Sequence, residues 1–198
     1  MGVFQIIEEM TELEQYINSH LGISKADVTK AASLFEETEL NKGDCFAKIG
    51  ERCEKLSFIQ SGFVRVSAYS DSKEVTQWIS SKGYFITDLS SLIFGNQARW
   101  NIQALTDCKL FTIEGESYRR LGEVVPNWPQ MEKQFIAACF ITLENRVFSH
   151  LSLSAEERYD QLYEFNKELF QHVPQQYIAS MLGMTPETFS RIRAKKIS

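Results

Sequence analysis

Apolar residues change their spacing twice along the chain, at about residues 40 and 126. Before the first change, Met10, Leu13, Ile17 and Leu21 recur at helical intervals up to Gly22. Val28, Ala31, Ala32 and Phe35 then follow Ser24, which can cap a second helix. From Leu40 onward the runs shorten, and Gly43, Gly50, Gly62, Gly83 and Gly95 punctuate them. Phe63 to Tyr69 is rich in β-formers and lies between Ser61-Gly62 and Ser70-Asp71-Ser72-Lys73. It reads as a strand with Glu74 to Ile79 as its hairpin partner. Leu56 to Gln60, Asn101 to Ala104 and Cys108 to Ile113 are further strands. Short strands with glycine turns predict a β-sandwich, barrel or jelly roll.

The second change comes at Pro126 and Pro129. Between Gln130 and Leu151 there is neither Pro nor Gly, which predicts one long helix. Phe135, Ala138, Cys139, Thr142 and Asn145-Arg146 share one side of it. Ile136, Phe140, Leu143, Val147 and Leu151 share another. A helix with two apolar faces needs two partners. One is the β-rich part; the other is either a second copy of the chain or the remainder of the same monomer. Ser154 and Glu157 have the spacing of a capping box, and the helix they open carries Tyr159, Leu162, Tyr163 and Leu169-Phe170 up to the break at Pro174.

The last part reads as two helices joined by a tight turn. Gln175 to Leu182 forms the first, Gly183-Met184-Thr185 the turn, and a second helix begins at Pro186. Ala179 allows a close crossing, Gly183 suits a left-handed residue, Thr185 can cap, and Pro186 fits a first helical turn. Ile178, Leu182, Met184, Phe189 and Ile192 supply a small shared core. At 100° per residue, Phe189, Ile192 and Lys196 face inward. Glu187, Ser190, Arg191 and Ala194 face outward, with Thr188 and Lys195 on one flank and Arg193 on the other. This is the arrangement of a DNA-reading helix-turn-helix. Arg191 can grip guanine O6 and N7, and Glu187 can accept from cytosine N4. Thr185, Thr188, Lys195, Arg193 and Gln175 are placed for further contacts, chiefly to phosphates. Glu187 and Arg191 are also spaced for an i, i+4 ion pair.

Charge does not settle the matter. The chain has 198 residues and a net charge of −5, which argues mildly against nucleic acid, yet its last eight residues hold four cations and no acid. That tail is either a local positive patch or a set of cations complementing a helix dipole. Cys45, Cys53, Cys108 and Cys139 form no CxxC pair and fall in segments resembling ordinary core. His20, His150 and His172 lack ligand spacing, so no metal site is expected. The longest apolar run, Phe135 to Ile141, is too short to span a bilayer, and Met1-Gly2-Val3-Phe4-Gln5 lacks the pattern of a secretory signal. A cytoplasmic location without membrane association is the expectation.

The segment Thr185-Pro186-Glu187-Thr188-Phe189-Ser190-Arg191 resembles the recognition helix of bacterial CRP/FNR regulators, with the Glu-x-x-Ser-Arg pattern of the FNR-like branch. Lys42-Gly43-Asp44, Phe58-Ile59-Gln60-Ser61-Gly62-Phe63-Val64-Arg65 and Gly83-Tyr84-Phe85-Ile86 resemble the same family. The resemblance implies an α+β fold in three parts. Residues 1–125 would form a cyclic-nucleotide-binding-like jelly roll (double-stranded β-helix), residues 126–152 a dimerisation helix, and residues 153–198 a helix-turn-helix domain without a C-terminal wing.

Members that bind cyclic AMP hold it with a Gly-Glu-Leu turn and a later Arg-Ser-Ala. The corresponding residues are Thr87-Asp88-Leu89 and, by spacing, Ala98-Arg99-Trp100. The glycine is gone, the acid is shorter, and Ala98 stands where the phosphate-gripping Arg would be. Arg99 is one place along, on the opposite face of a strand. The effector pocket is therefore expected to be degenerate and cyclic AMP not to be the effector; no cofactor is implied, and iron–sulfur or haem binding lacks its ligands. Pro186 replaces a polar side chain common in relatives, so readout would rest on Glu187, Ser190 and Arg191.

The resulting expectation is a sequence-specific transcription regulator: a homodimer on a near-palindromic operator with half-sites about 34 Å apart, with RNA polymerase as a further candidate partner. The alternative is a small-molecule or partner sensor whose helix-turn-helix is weak or vestigial. An enzyme is not expected, because nucleophile motif, phosphate loop and metal cluster are all missing from the sequence.

Overall fold

A computed structural model describes Thr11, residues 13–15, residues 25–71 and residues 73–197. Met10, Ile17, Leu21 and Ser24, named above for the first helices, lie outside the described residues. Leu13 is buried, as are Val28 and Ala31 on helix α1 (Lys25–Ala32).

Eight strands follow: β1 (Glu36–Leu40), β2 (Cys45–Ala47), β3 (Lys55–Ser61), β4 (Val64–Ser70), β5 (Lys73–Ser80), β6 (Phe85–Ile86), β7 (Asn101–Ala104) and β8 (Cys108–Glu114). They form two four-stranded antiparallel sheets, ordered β1-β8-β3-β6 and β2-β7-β4-β5. Of the three all-β arrangements open to the sequence, the jelly roll is the one adopted. Ile59, Val64, Ile102, Ala104 and Leu110 fill the space between the sheets. The β-rich part starts earlier than the glycine pattern indicates. Strand β1 is Glu-Glu-Thr-Glu-Leu, at the sheet edge and largely exposed, so it needs no apolar alternation. Cys45 is exposed, a correction to its reading as core; Cys53 and Cys108 are buried.

Gly62 joins β3 to β4 with φ +98°, and a Cβ there would lie 2.6 Å from the carbonyl oxygen of Asp107. Only glycine meets both conditions.

Helices α2 (Leu89–Phe94) and α3 (Gly115–Val124) flank the last two strands and lead to α4 (Trp128–Ser152). Among the described residues no helix is long and apolar enough to cross a membrane. Helix α5 (Ala155–Phe165) opens on the full capping box: Ser154 Oγ accepts the Glu157 amide, and the Glu157 carboxylate accepts the Ser154 amide at 2.8 Å.

This helix does not continue through Phe170, which corrects the sequence reading. Asn166 leaves helical geometry, donates to Ser81 Oγ at 3.2 Å and accepts the Leu169 amide at 3.1 Å. A new turn, α6 (Leu169–His172), then swings Leu169 and Phe170 into the core. Helices α7 (Gln175–Met181) and α8 (Pro186–Ile197) complete the chain. Tyr159, Phe170 and Phe189 pack with ring centroids 5.2 to 6.0 Å apart. This aromatic core is continuous with Phe63, Ile79 and Leu105 of the roll.

Candidate functional site

The two C-terminal helices meet as their sequence requires. Ala179 and Phe189 are fully buried, Ile178, Leu182 and Ile192 are buried, and Met184 packs partly against them. Gly183 turns the chain at φ +67°, after which the Met184 amide donates to the Ala179 carbonyl at 3.0 Å. Thr185 Oγ1 caps α8 by accepting the Thr188 amide at 3.2 Å.

Burying Phe189 and Ile192 fixes what faces outward. Glu187, Ser190, Arg191 and Ala194 are exposed, as are Gln175 at the start of α7 and Thr185 in the turn; Thr188 and Arg193 are half-buried. Glu187 forms no ion pair with Arg191 among the described residues. Its carboxylate bends back to its own amide and the Thr185 hydroxyl, which hold it below the usual carboxylate range. Arg191 is therefore left exposed, without Glu187 as its partner.

The basic tail differs from its sequence reading. Lys196 does not face inward: it sits at the rim, 2.8 Å from Asp160 and 3.3 Å from Glu156. Lys195, read as a phosphate contact, lies 3.1 Å from Glu156. Helix α5 thus places two acids beside two of the four tail cations.

Helix α7 docks on the roll. The Thr76 amide of β5 donates to Ser180 Oγ at 2.9 Å, and the Arg65 guanidinium lies 3.9 Å from the centre of the Tyr177 ring. Arg65 is only 3% exposed; it donates to Thr76 Oγ1 and to Glu74, both at 2.8 Å, and Ser67 also donates to Glu74. Burial pushes the Glu74 carboxyl up, but the Arg65 and Ser67 hydrogen bonds and the Arg65 charge outweigh it and hold the group below its ordinary value. The sequence reading passed over this junction. Its signal was Arg65 and Glu74, opposite charges in adjoining hairpin strands.

The predicted effector residues come together, but they satisfy one another. Asp88 is buried and caps α2: one carboxyl oxygen accepts the Ser91 amide at 3.0 Å, and the other accepts the Arg99 amide at 2.8 Å. Thr87 Oγ1 donates to the Lys55 carbonyl at 2.8 Å. Ala98 is buried, the Arg99 side chain is exposed, Leu89 is 40% exposed, and Trp100 packs partly on the roll core. The segment holding Ala98 to Trp100 is irregular rather than a strand, yet Arg99 still points away from Ala98.

Helix α4 uses its two faces differently. Phe135 packs edge-on against Phe85, and Arg146 donates to the carbonyls of Gln77 and Met181. Ile136, Phe140, Leu143, Val147 and Leu151 are 42, 60, 46, 58 and 81% exposed. Their spacing of four, three, four and four residues is that of a helix–helix seam.

Residues 37–123 match the family model of the cyclic nucleotide-binding domain. No curated protein matches the chain. Among solved structures, the c-di-GMP responsive global regulator CLP of Xanthomonas campestris is 17% identical, with 87% of this chain and 91% of that one covered and a TM-score of 0.65. FixK2 of Bradyrhizobium japonicum is 18% identical, with 81% and 83% covered and a TM-score of 0.66. A CooA mutant from Carboxydothermus hydrogenoformans is 19% identical, with 94% and 84% covered and a TM-score of 0.61. Identities this low carry the fold and no more. Residues 37–123 thus match the cyclic nucleotide-binding domain model, and the chain shares the fold of the regulators CLP, FixK2 and CooA.

Proposed function

We propose that the chain is a sequence-specific DNA-binding transcription regulator of CRP/FNR type, acting as a homodimer and not through cyclic AMP. One observation carries the reading: α8 is anchored by Phe189 and Ile192, while Glu187, Ser190 and Arg191 stand exposed on its free face. That face has the length and chemistry to enter a major groove, with Arg191 on guanine, Glu187 on cytosine and Ser190 on either. Gln175, Thr185, Thr188, Arg193 and Lys195 flank it and would grip phosphates. Lys195 must exchange Glu156 for phosphate, a small cost for so exposed a pair. The division into residues 1–125 as sensor, 126–152 as dimerisation helix and 153–198 as reading head belongs to this reading.

The bare seam of α4 supports the dimer, since such a stripe is stabilised by covering it with its own copy. The occupied carboxyl oxygens of Asp88 and the alanine at position 98 support the exclusion of cyclic AMP. A second reading, a sensor with a vestigial reading head, is favoured by the acids that pair Lys195 and Lys196.

Selection from random duplexes, followed by fluorescence anisotropy of wild type and Arg191→Ala, separates the two. The first reading expects a near-palindromic site and a loss of about 1–3 kcal/mol in the variant. Salt-sensitive binding without sequence preference, equal in both proteins, supports the second. Sedimentation of Val147→Glu should show a monomer where wild type is a dimer.

A further inference from the structure

A cavity of about 280 Å³ opens where the roll, the long helix and the reading head meet, on the side of α4 opposite the bare seam. Trp78 and Tyr84 of the roll form one wall; Leu162 and Phe165 of α5 and Met181 at the end of α7 form another. None of the residues expected for a cyclic nucleotide takes part.

Two guanidinium groups also line it. Arg146 reaches over the Trp78 ring, 4.9 Å from its centre, and donates to the carbonyls of Gln77 and Met181. Arg158 donates to the carbonyls of Leu182 at 3.0 Å and Leu153 at 2.6 Å. Among the described residues neither forms an ion pair. A guanidinium carries five N–H donors, so carbonyl contacts leave part of each fork unspent. Burial draws Arg146 down to about 10, which still leaves it charged at neutral pH. Two like charges line one open, largely apolar pocket without a counter-charge among the described residues, and an anion seated between them offsets their repulsion.

We infer that this cavity is a binding site for a compact organic anion with a flat apolar body, of the aromatic carboxylate class. The body would lie among Trp78, Tyr84 and Leu162, with the carboxylate on the guanidinium forks, where charge-assisted bonds are strongest. The volume sits at the small end of ligand pockets, about 300 Å³ and upward, which suits one or two fused rings. Arg146 bonds both Gln77 of β5 and Met181 of α7, and Arg158 bonds Leu182 beside the turn. A ligand that recruits either fork therefore acts on the seat of the reading head. This regulatory consequence rests on the proposed DNA-binding function; the binding site itself does not.

Titration calorimetry on the full chain tests the site with 2-naphthoate and its uncharged amide. The expected result is one 2-naphthoate per protomer, with the amide about tenfold weaker or worse. Ser149→Trp places a large group into the cavity from α4, and Arg158→Gln removes one charge. The first should abolish 2-naphthoate binding with the thermal melt unchanged, and the second should bring the acid down to the affinity of the amide. Equal affinity of acid and amide in wild type, undiminished binding in Ser149→Trp, or no heat with 2-naphthoate up to about 1 mM would each overturn the site. Anisotropy on the selected duplex, with and without saturating 2-naphthoate, is read separately. A changed DNA affinity establishes the regulatory consequence and an unchanged one refutes it. A protein that binds 2-naphthoate but selects no sequence refutes the DNA-binding reading and leaves the site standing.

Discussion

The turn around Asp88 and the helix pair at the C-terminus are capped by the same chemistry and built on opposite plans. At the turn, an acid is buried and its two oxygens are consumed by the chain's own amides. At the helix pair, an exposed threonine caps α8, and polar groups beyond it are exposed, with Arg191 unpaired by Glu187. A region that satisfies its own donors and acceptors has little left to offer a ligand. A region whose apolar residues hold it still while its polar residues face outward is equipped to recognise something large. The contrast supports the proposed function, with structural work for the turn and recognition for the helix pair.

The largest effect should come from removing the anchor of the reading face. Phe189 is fully buried between Tyr159 and Phe170, so Phe189→Ala should cost about 3–5 kcal/mol. Because that core continues into Phe63, Ile79 and Leu105, the loss should appear in one cooperative thermal transition. Two separate transitions, with the roll melting as in wild type, would show that the helix pair folds independently.

Asp88→Ala comes next. It strips the cap from α2 and orphans the Arg99 amide, for about 2 kcal/mol. It should lower the melting temperature without changing the response to cyclic AMP; a variant that loses a cyclic AMP response present in wild type would make the turn a working effector site. Thr185→Ala removes the matching cap from α8, but in an exposed position, and should cost about 1 kcal/mol. Equal melting shifts in the two variants would erase the distinction between a buried and an exposed cap.

The features legible in the sequence were those set by local period. Strands β3, β4, β5, β7 and β8 begin and end within about a residue of the alternating runs, and the C-terminal helices lie where cap, glycine and proline put them. The outward face of α8 follows from 100° per residue and the burial of Phe189 and Ile192. Features that depend on distant partners were hidden. Strand β1 is polar because, among the described residues, only β8 pairs with it. Helix α5 ends at Phe165 because Asn166 binds Ser81, far away in the sequence. Lys195 and Lys196 are neutralised by acids on a helix that no charge run linked to them. The seating of Tyr177 on Arg65 joins residues that no periodicity relates.

That seating gives the smallest and most diagnostic test, because it couples the helix pair to the roll. Glu74 holds Arg65 beneath the Tyr177 ring, and its carboxyl stays below its ordinary value when folded. A group depressed in this way contributes fully above its unfolded pKa, about 4.3, and loses the contribution as pH falls through the lower folded value. Glu74 is about a third exposed, so solvent limits its share to about 1 kcal/mol, or about 2–4 °C in melting temperature. Glu74→Gln should therefore melt a few degrees below wild type at neutral pH, and the gap should close as the pH is taken below about 4. A gap that persists in acid would mean that Glu74 acts through its shape rather than its charge, and that Thr76 and Tyr177 alone hold Arg65 in place. The docking of the helix pair on the roll would then be insensitive to acid at this contact, and the link would rest on Arg146, Ser180, Asn166 and the shared apolar core instead.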